Sequence, residues 1–293
     1  MLLLISFRRV QVEPTSATAP TRWRIVEYTR RLSTYNSAIY TYKMGNDSTT
    51  IVFVPGAWHN PLCYYAVAIK LRESGYKTRY VTLETCGPKI HHASFDPDVQ
   101  KIRSALLEEI DAGQKVILVV HSYGGIPSSV AVEGLDIASR EAQSLRGGVA
   151  HLFFCCSFLI PEDRSLIEAF GGSDLPWFDV SPDRTAVDAM TPEKIFYNDM
   201  RQDEIESAIA HLKTHSYQPF HSKVTYAGWK HLPTTYLYCL QDQAIPIQVQ
   251  KMMVEDWAKG VGIRTETVDA SHSPFFSKPI ETAMAIQRAA EQA

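Results

Sequence analysis

The chain has 293 residues, 45% of them hydrophobic and 21% charged, with a formal net charge of −3. That is enough length for a large core and an ordinary composition for a globular protein. There is no basic cluster to attract nucleic acid, and no apolar run approaches a membrane span, so neither nucleic-acid binding nor stable membrane insertion is expected. The five cysteines, Cys63, Cys86, Cys155, Cys156 and Cys239, form no CxxC pair and no zinc-spaced array; they read as reduced thiols of a cytoplasmic protein. His211 and His215 stand four apart but lack the glutamate of the HExxH pattern. No metal and no cofactor is expected.

Residues 1–45 read as an extension. Met1 to Ile5 is apolar but too short for a signal-peptide core. Arg8, Arg9, Arg22, Arg24, Arg30 and Arg31 follow among many Ser and Thr and few acids, a composition like that of an organelle transit peptide. The preferred alternative is a disordered segment ahead of a start at Met44, in which case the residues from Gly45 would loosely fit a myristoylation pattern.

From residue 49 on, strand-like and helix-like segments alternate, the pattern of a parallel sheet with helices on both faces. Residues 50–54 form an apolar, β-branched run that ends at Pro55-Gly56. A helical pattern at 64–74 is closed by Gly75, a strand is predicted at 77–83, and an amphipathic helix at 98–112 is stopped by Gly113. The almost wholly apolar run 115–120 reads as a central strand. Further strands are predicted at 149–154, 235–240 and 264–268, with a closing helix from Pro279. Between 161 and 232 the strand rhythm stops, and Trp, Phe, Pro and helix-like stretches such as 203–214 take over. A long insertion of this kind usually has structure of its own and covers a site. The organisation expected is therefore a core of 46–160 and 233–293 with a largely helical cap at 161–232.

The strand at 115–120 runs into His121-Ser122-Tyr123-Gly124-Gly125. A serine on a strained strand-to-helix turn projects its hydroxyl clear of the sheet, and glycines beside it remove side chains that would clash. The G-x-S-x-G pattern is matched except that Val120 replaces its first glycine. A serine hydroxyl needs a base, and a histidine of near-neutral pKa suits that task. His272 follows the last predicted strand and Asp242 follows the one before it. Ser, Asp, His, each after its own strand, is the chain order of a serine nucleophile with its base and orienting acid. Glu162, Asp163 and Asp269 are competing acids, read as exposed loop carboxylates. The oxyanion donors expected are the amides of Tyr123 and of Ala57, the latter in the tight Pro55-Gly56-Ala57-Trp58 loop. Gly56, Trp58, Trp177 and Phe178 are the expected substrate-binding residues. The insertion's remaining aromatics, Phe196, Tyr197, Phe220 and Trp229, read mainly as its core.

With Phe53-Val54-Pro55-Gly56-Ala57-Trp58-His59, Val119-Val120-His121-Ser122-Tyr123-Gly124-Gly125, Asp242-Gln243-Ala244-Ile245-Pro246, His272-Ser273-Pro274-Phe275 and the patch Phe196-Tyr197-Asn198-Asp199, the chain from residue 49 to 292 resembles the α/β-hydrolase branch of plant methylesterases and hydroxynitrile lyases with its microbial esterase-like members. The resemblance implies an α/β-hydrolase fold and a serine esterase. The branch's lyases carry Thr where Gly56 stands and Lys where Ser273 stands, so cyanohydrin cleavage is disfavoured. The branch usually has His where this chain has Pro55. The leading expectation is hydrolysis of a carboxylic ester, a methyl ester or a lactone among the candidates, of a small to medium apolar substrate through an acyl-enzyme. A lyase or cyclase of secondary metabolism and a non-catalytic ligand receptor are the alternatives. The expected partner is a small-molecule ester, and a homodimer is left open.

Overall fold

The apolar run after residue 49 becomes strand β1 (Thr49–Val54), with all six residues buried. The computed structural model describes residues 49–293, so the readings made for the N-terminal extension lie outside the described residues. Strand β2 (Lys77–Tyr80), β3 (Lys115–His121) and β4 (Gly148–Cys155) follow, the last two almost wholly buried. Three short strands lie in the insertion, β5 (Phe178–Val180), β6 (Ala186–Ala189) and β7 (His215–Ser216), before β8 (Thr234–Cys239) and β9 (Arg264–Val268). The main sheet has the order β2-β1-β3-β4-β8-β9, and every pairing in it is parallel.

The central strands lack polar alternation because both of their faces are covered. Val52, Val54, Val116, Leu118 and Val120 enter one apolar cluster with Ile102, Leu106 and Ile110 of the helix Asp96–Asp111. Ile51, Phe53, Ile117 and Val119 enter the other, with Val67 and Leu71 of the helix Tyr65–Glu73 and Ile286 of the helix Pro279–Glu291. The two-residue period of a strand thus sorts alternate side chains onto two cores.

Strand β2 is shorter than the predicted 77–83. Its ladder with β1 ends where Val81 N–H donates to Phe53 O at 3.0 Å, since Pro55 has no N–H to carry the pairing further. The insertion also departs from expectation. Alongside helices such as Leu166–Ala169, with its Ser165/Glu168 capping box, and Gln202–Ile209, it holds an antiparallel sheet of order β5-β6-β7. Strands of two to four residues are too short to show alternation in sequence. The helix predicted at 203–214 stops at Ile209, and His215 pairs with Val187 in β7. His211 and His215 therefore do not share a helix face. Among the described residues no helix is long and apolar enough to cross a membrane.

Candidate active site

Ser122 lies where β3 turns into the helix Gly125–Ala131, at φ +51°. That left-handed conformation is costly for a residue with a Cβ and persists only where its surroundings enforce it. Two glycines make the turn feasible. A Cβ on Gly124 would come within 2.3 Å of Pro55 O, and one on Gly125 within 2.3 Å of Ser157 Oγ. Val120, in the place of the motif's first glycine, is fully buried among apolar neighbours and fits.

Asp242 and His272 follow β8 and β9, and both are almost completely buried. His272 Nδ1 lies 2.7 Å from Asp242 Oδ2. The carboxylate is held by the amides of Ala244 and Ile245, each donating to Oδ1 at 2.8 Å, and by Gln250 Nε2 donating to Oδ2 at 3.2 Å. A carboxylate only accepts, so the proton of a neutral His272 resides on Nδ1 and the Nε2 lone pair is left free for a base's work. His272 is fixed from the other side through its carbonyl, which accepts from His121 Nε2 at 2.8 Å and from the Cys156 thiol at 3.3 Å. The two imidazoles lie with centroids 4.5 Å apart. Burial first, then the neighbouring His272, pushes the His121 pKa well below the ordinary range, so His121 is a neutral donor. Asp242 and His272 thus meet directly. Ser122 is tied to them through its neighbour His121.

A small cavity opens beside Ser122. Of the residues expected there, Ala57, Trp58, Tyr123, Trp177 and Phe178 line it, joined by Phe158, Leu166, Leu175, Phe220, Ala244 and Ile245. Ala244 and Ile245 were not among the expected site residues, though their place two and three positions after Asp242 could have marked them; nothing in the sequence pointed to Phe158, Leu166 or Leu175. Its free volume is about 10 Å³, room for roughly one water molecule. Gly56 is not among the lining residues. Its Cα packs behind them, where a Cβ would meet His121 Nδ1 at 2.7 Å and Ser122 Cβ at 2.8 Å. Trp58 takes a positive φ of 63° and donates from Nε1 to Val187 O at 2.8 Å, so a cavity wall is anchored to β6.

Behind Tyr123 lies a buried polar network. The Tyr123 hydroxyl donates to Asp98 Oδ2 at 2.9 Å, and Thr85 donates to Asp98 from its amide at 3.0 Å and its hydroxyl at 2.6 Å. Burial raises the Asp98 pKa. Two of the competing acids are engaged elsewhere: Glu162 accepts from Ala227 N at 3.0 Å and pairs with Lys230, and Asp269 accepts from Gln241 Nε2 at 2.7 Å; Asp163 is exposed. Two groups of donor atoms lie close enough to share a soft metal ion, His121 with Cys156 and His272, and Cys155 with Cys156 and Cys239. In the first, His121 Nε2 and the Cys156 thiol are already spent on the His272 carbonyl.

The family model described as "Alpha/beta hydrolase family" matches residues 51–285. The chain belongs to this family. The doubly covered parallel sheet is the α/β-hydrolase fold that the motifs implied. The α/β-hydrolase nvfD of Aspergillus novofumigatus is 28% identical over 83% of this chain and 97% of its own length. Methylesterase 7 of Arabidopsis thaliana is 29% identical over 80% of this chain and 94% of its own. Among solved structures, a pyrethroid hydrolase from Sphingobium faniae superposes with a TM-score of 0.65 at 22% identity, covering 83% of this chain and 97% of that one. These likenesses agree with the methylesterase-like branch of the α/β-hydrolases.

Proposed function

We propose that this α/β-hydrolase is a serine hydrolase that cleaves a carboxylic ester, a methyl ester or lactone included, of a small to medium apolar substrate. The observation that carries the reading is the buried 2.7 Å contact between His272 Nδ1 and Asp242 Oδ2, together with a serine held at positive φ whose neighbour His121 bonds the His272 carbonyl.

In this reading Ser122 Oγ attacks the acyl carbonyl while His272 Nε2 takes its proton and then returns it to the departing alcohol. Asp242 keeps the imidazole in one tautomer and stabilises the cation that forms. The amides of Ala57 and Tyr123, which flank Ser122 on the cavity wall, receive the negative oxygen of the tetrahedral intermediate; one such donor typically contributes ~10²–10³ in rate. Water then attacks the acyl-enzyme with His272 as base. No charged side chain lines the cavity, which supports an uncharged, apolar acyl group, and segment 161–232 acts as the cap that encloses it.

The test is turnover of p-nitrophenyl esters of increasing acyl length together with labelling by a fluorophosphonate. Wild-type protein is expected to turn over and to carry a covalent adduct on Ser122, and Ser122→Ala to lose both. Hydrolysis undiminished in Ser122→Ala would remove this residue from the chemistry. Ester turnover with no trapped adduct would replace the acyl-enzyme by direct attack of a water activated by His272.

A further inference from the structure

One tripeptide of the insertion reaches three of the loops that carry the proposed catalytic groups, those of His272, Asp242 and Ala57. Phe196 O accepts from Ser271 Oγ at 3.0 Å, beside His272. Asn198 Nδ2 donates to Gln241 O at 3.0 Å, beside Asp242. Between them, the Tyr197 hydroxyl lies 2.9 Å from His59 Nε2, and His59 Nδ1 lies 2.8 Å from Ala57 O. Tyr197 is fully buried and His59 nearly so.

The protons in this chain can be assigned by elimination. A carbonyl only accepts, so His59 Nδ1 carries a hydrogen and donates it to Ala57 O. A neutral ring then has its lone pair on Nε2, and the Tyr197 phenol is the donor to it. Neutrality is favoured by burial, which with a smaller contribution from His272 lowers the His59 pKa to about 4 against the opposing pull of the Ala57 carbonyl. The Ala57 carbonyl thereby selects the tautomer, and the Tyr197 phenol, which can donate or accept, supplies the donor without which the Nε2 lone pair of that tautomer would be buried unpaired.

We infer that Tyr197, acting through His59, is a positioning residue that fixes the loop presenting the Ala57 amide to the developing oxyanion. This rests on the hydrolase reading above. The Ala57 carbonyl and its amide belong to a loop whose other fixed point is Gly56, wedged against His121 and Ser122. Holding the carbonyl sets the rotation of the loop and hence the aim of its N–H groups. An ordinary core tyrosine would contribute packing alone, and its phenol would be dispensable to chemistry.

The experiment compares wild type with Tyr197→Phe, which keeps the ring and removes only the donor. The kcat for a p-nitrophenyl ester is expected to fall about tenfold, less than the ~10²–10³ that deleting a donor outright costs, with KM nearly unchanged. Affinity for a trifluoromethyl ketone, whose hemiketal with Ser122 places a negative oxygen at the same spot, should fall in parallel, while ester binding to the Ser122→Ala protein should be unaffected by adding Tyr197→Phe. An unchanged kcat, or a loss confined to KM, overturns the proposal. Should Tyr197→Phe fail to fold, ¹⁵N NMR of the wild-type histidines decides: a His59 with its proton on Nδ1 supports the chain and one on Nε2 overturns it. Failure of the hydrolase reading is seen separately, as a wild type with neither turnover nor phosphonate labelling.

Discussion

His121, the residue before the proposed nucleophile, donates from Nε2 to the backbone carbonyl of His272, the proposed base, at 2.8 Å. The strand end that carries Ser122 and the loop that carries His272 are thereby pinned together by a neutral, buried imidazole whose other nitrogen has no hydrogen-bond partner among the described residues. This predicts that His121→Gln, whose amide can still donate, retains most activity, and that His121→Phe loses kcat by roughly tenfold or more with little change in KM, as expected when alignment rather than binding is lost. Steady-state kinetics on both variants checks it, and equal activity in the two would show that the donor is immaterial.

The close approach of Gly124 to the loop after β1 makes a second expectation quantitative. A Cβ there lies 2.3 Å from a backbone oxygen, Pro55 O, which cannot swing away as a side chain could. Gly124→Ala should lower stability by about 3 kcal/mol or more and displace the Ala57 loop with it. Urea denaturation read beside turnover of a p-nitrophenyl ester tests this. Unaltered stability would mean that the loop moves freely.

Acid stability follows from buried histidines, of which His121 has its pKa pushed well down by burial and three others are lowered to definite values. Desolvation, the first cause in each case, lowers His59 and His151 to about 4 and His215 to about 3 from an unfolded value of 6.5. Between those values the unfolded chain binds more protons than the folded one, so stability rises with pH across that window. It is complete above about pH 6.5 and lost as pH falls toward 4, or toward 3 for His215, on the order of 3 to 5 kcal/mol for each group. Asp98, raised by burial, works in the opposite sense: its contribution is full below the unfolded carboxylate pKa and fades as pH rises. His151 is remote from the cavity, with Nε2 bonded to Thr235 Oγ1 at 2.9 Å. His151→Gln should flatten the pH dependence of the thermal midpoint between 6.5 and 4; a curve parallel to that of wild type would rule this histidine out as a contributor.

The free volume of about 10 Å³ beside Ser122 is too small for any acyl chain, so the aromatic wall must shift or be trimmed to admit one. Trp177 packs edge-on against Trp58 at 5.4 Å and Phe178 at 4.8 Å and is only partly buried. Trp177→Ala should move the preferred p-nitrophenyl ester toward longer acyl chains. A chain-length profile identical to wild type would place the acyl group elsewhere.

Much of this was legible along the chain because it depends on local rules. The buried central strands showed as unbroken apolar runs, with Ser122 a polar residue just past one of them, and Asp242 and His272 showed as polar residues a few positions past the last two strands. The same local reasoning overran β2, which stops for want of a proline N–H in its partner strand, and it placed no strands in the insertion, where β5, β6 and β7 are stabilised by one another and not by their own patterns.

What the sequence determined by itself was the class of fold and the identity of the three polar residues at strand ends, since strand periodicity and a serine flanked by glycines are written in consecutive positions. Only the tertiary structure decided which contacts align them. The grip of His121 on the His272 carbonyl spans 151 positions and that of Tyr197 on His59 spans 138, and hydrogen bonds between such distant residues exist only once the sheet and the insertion have packed.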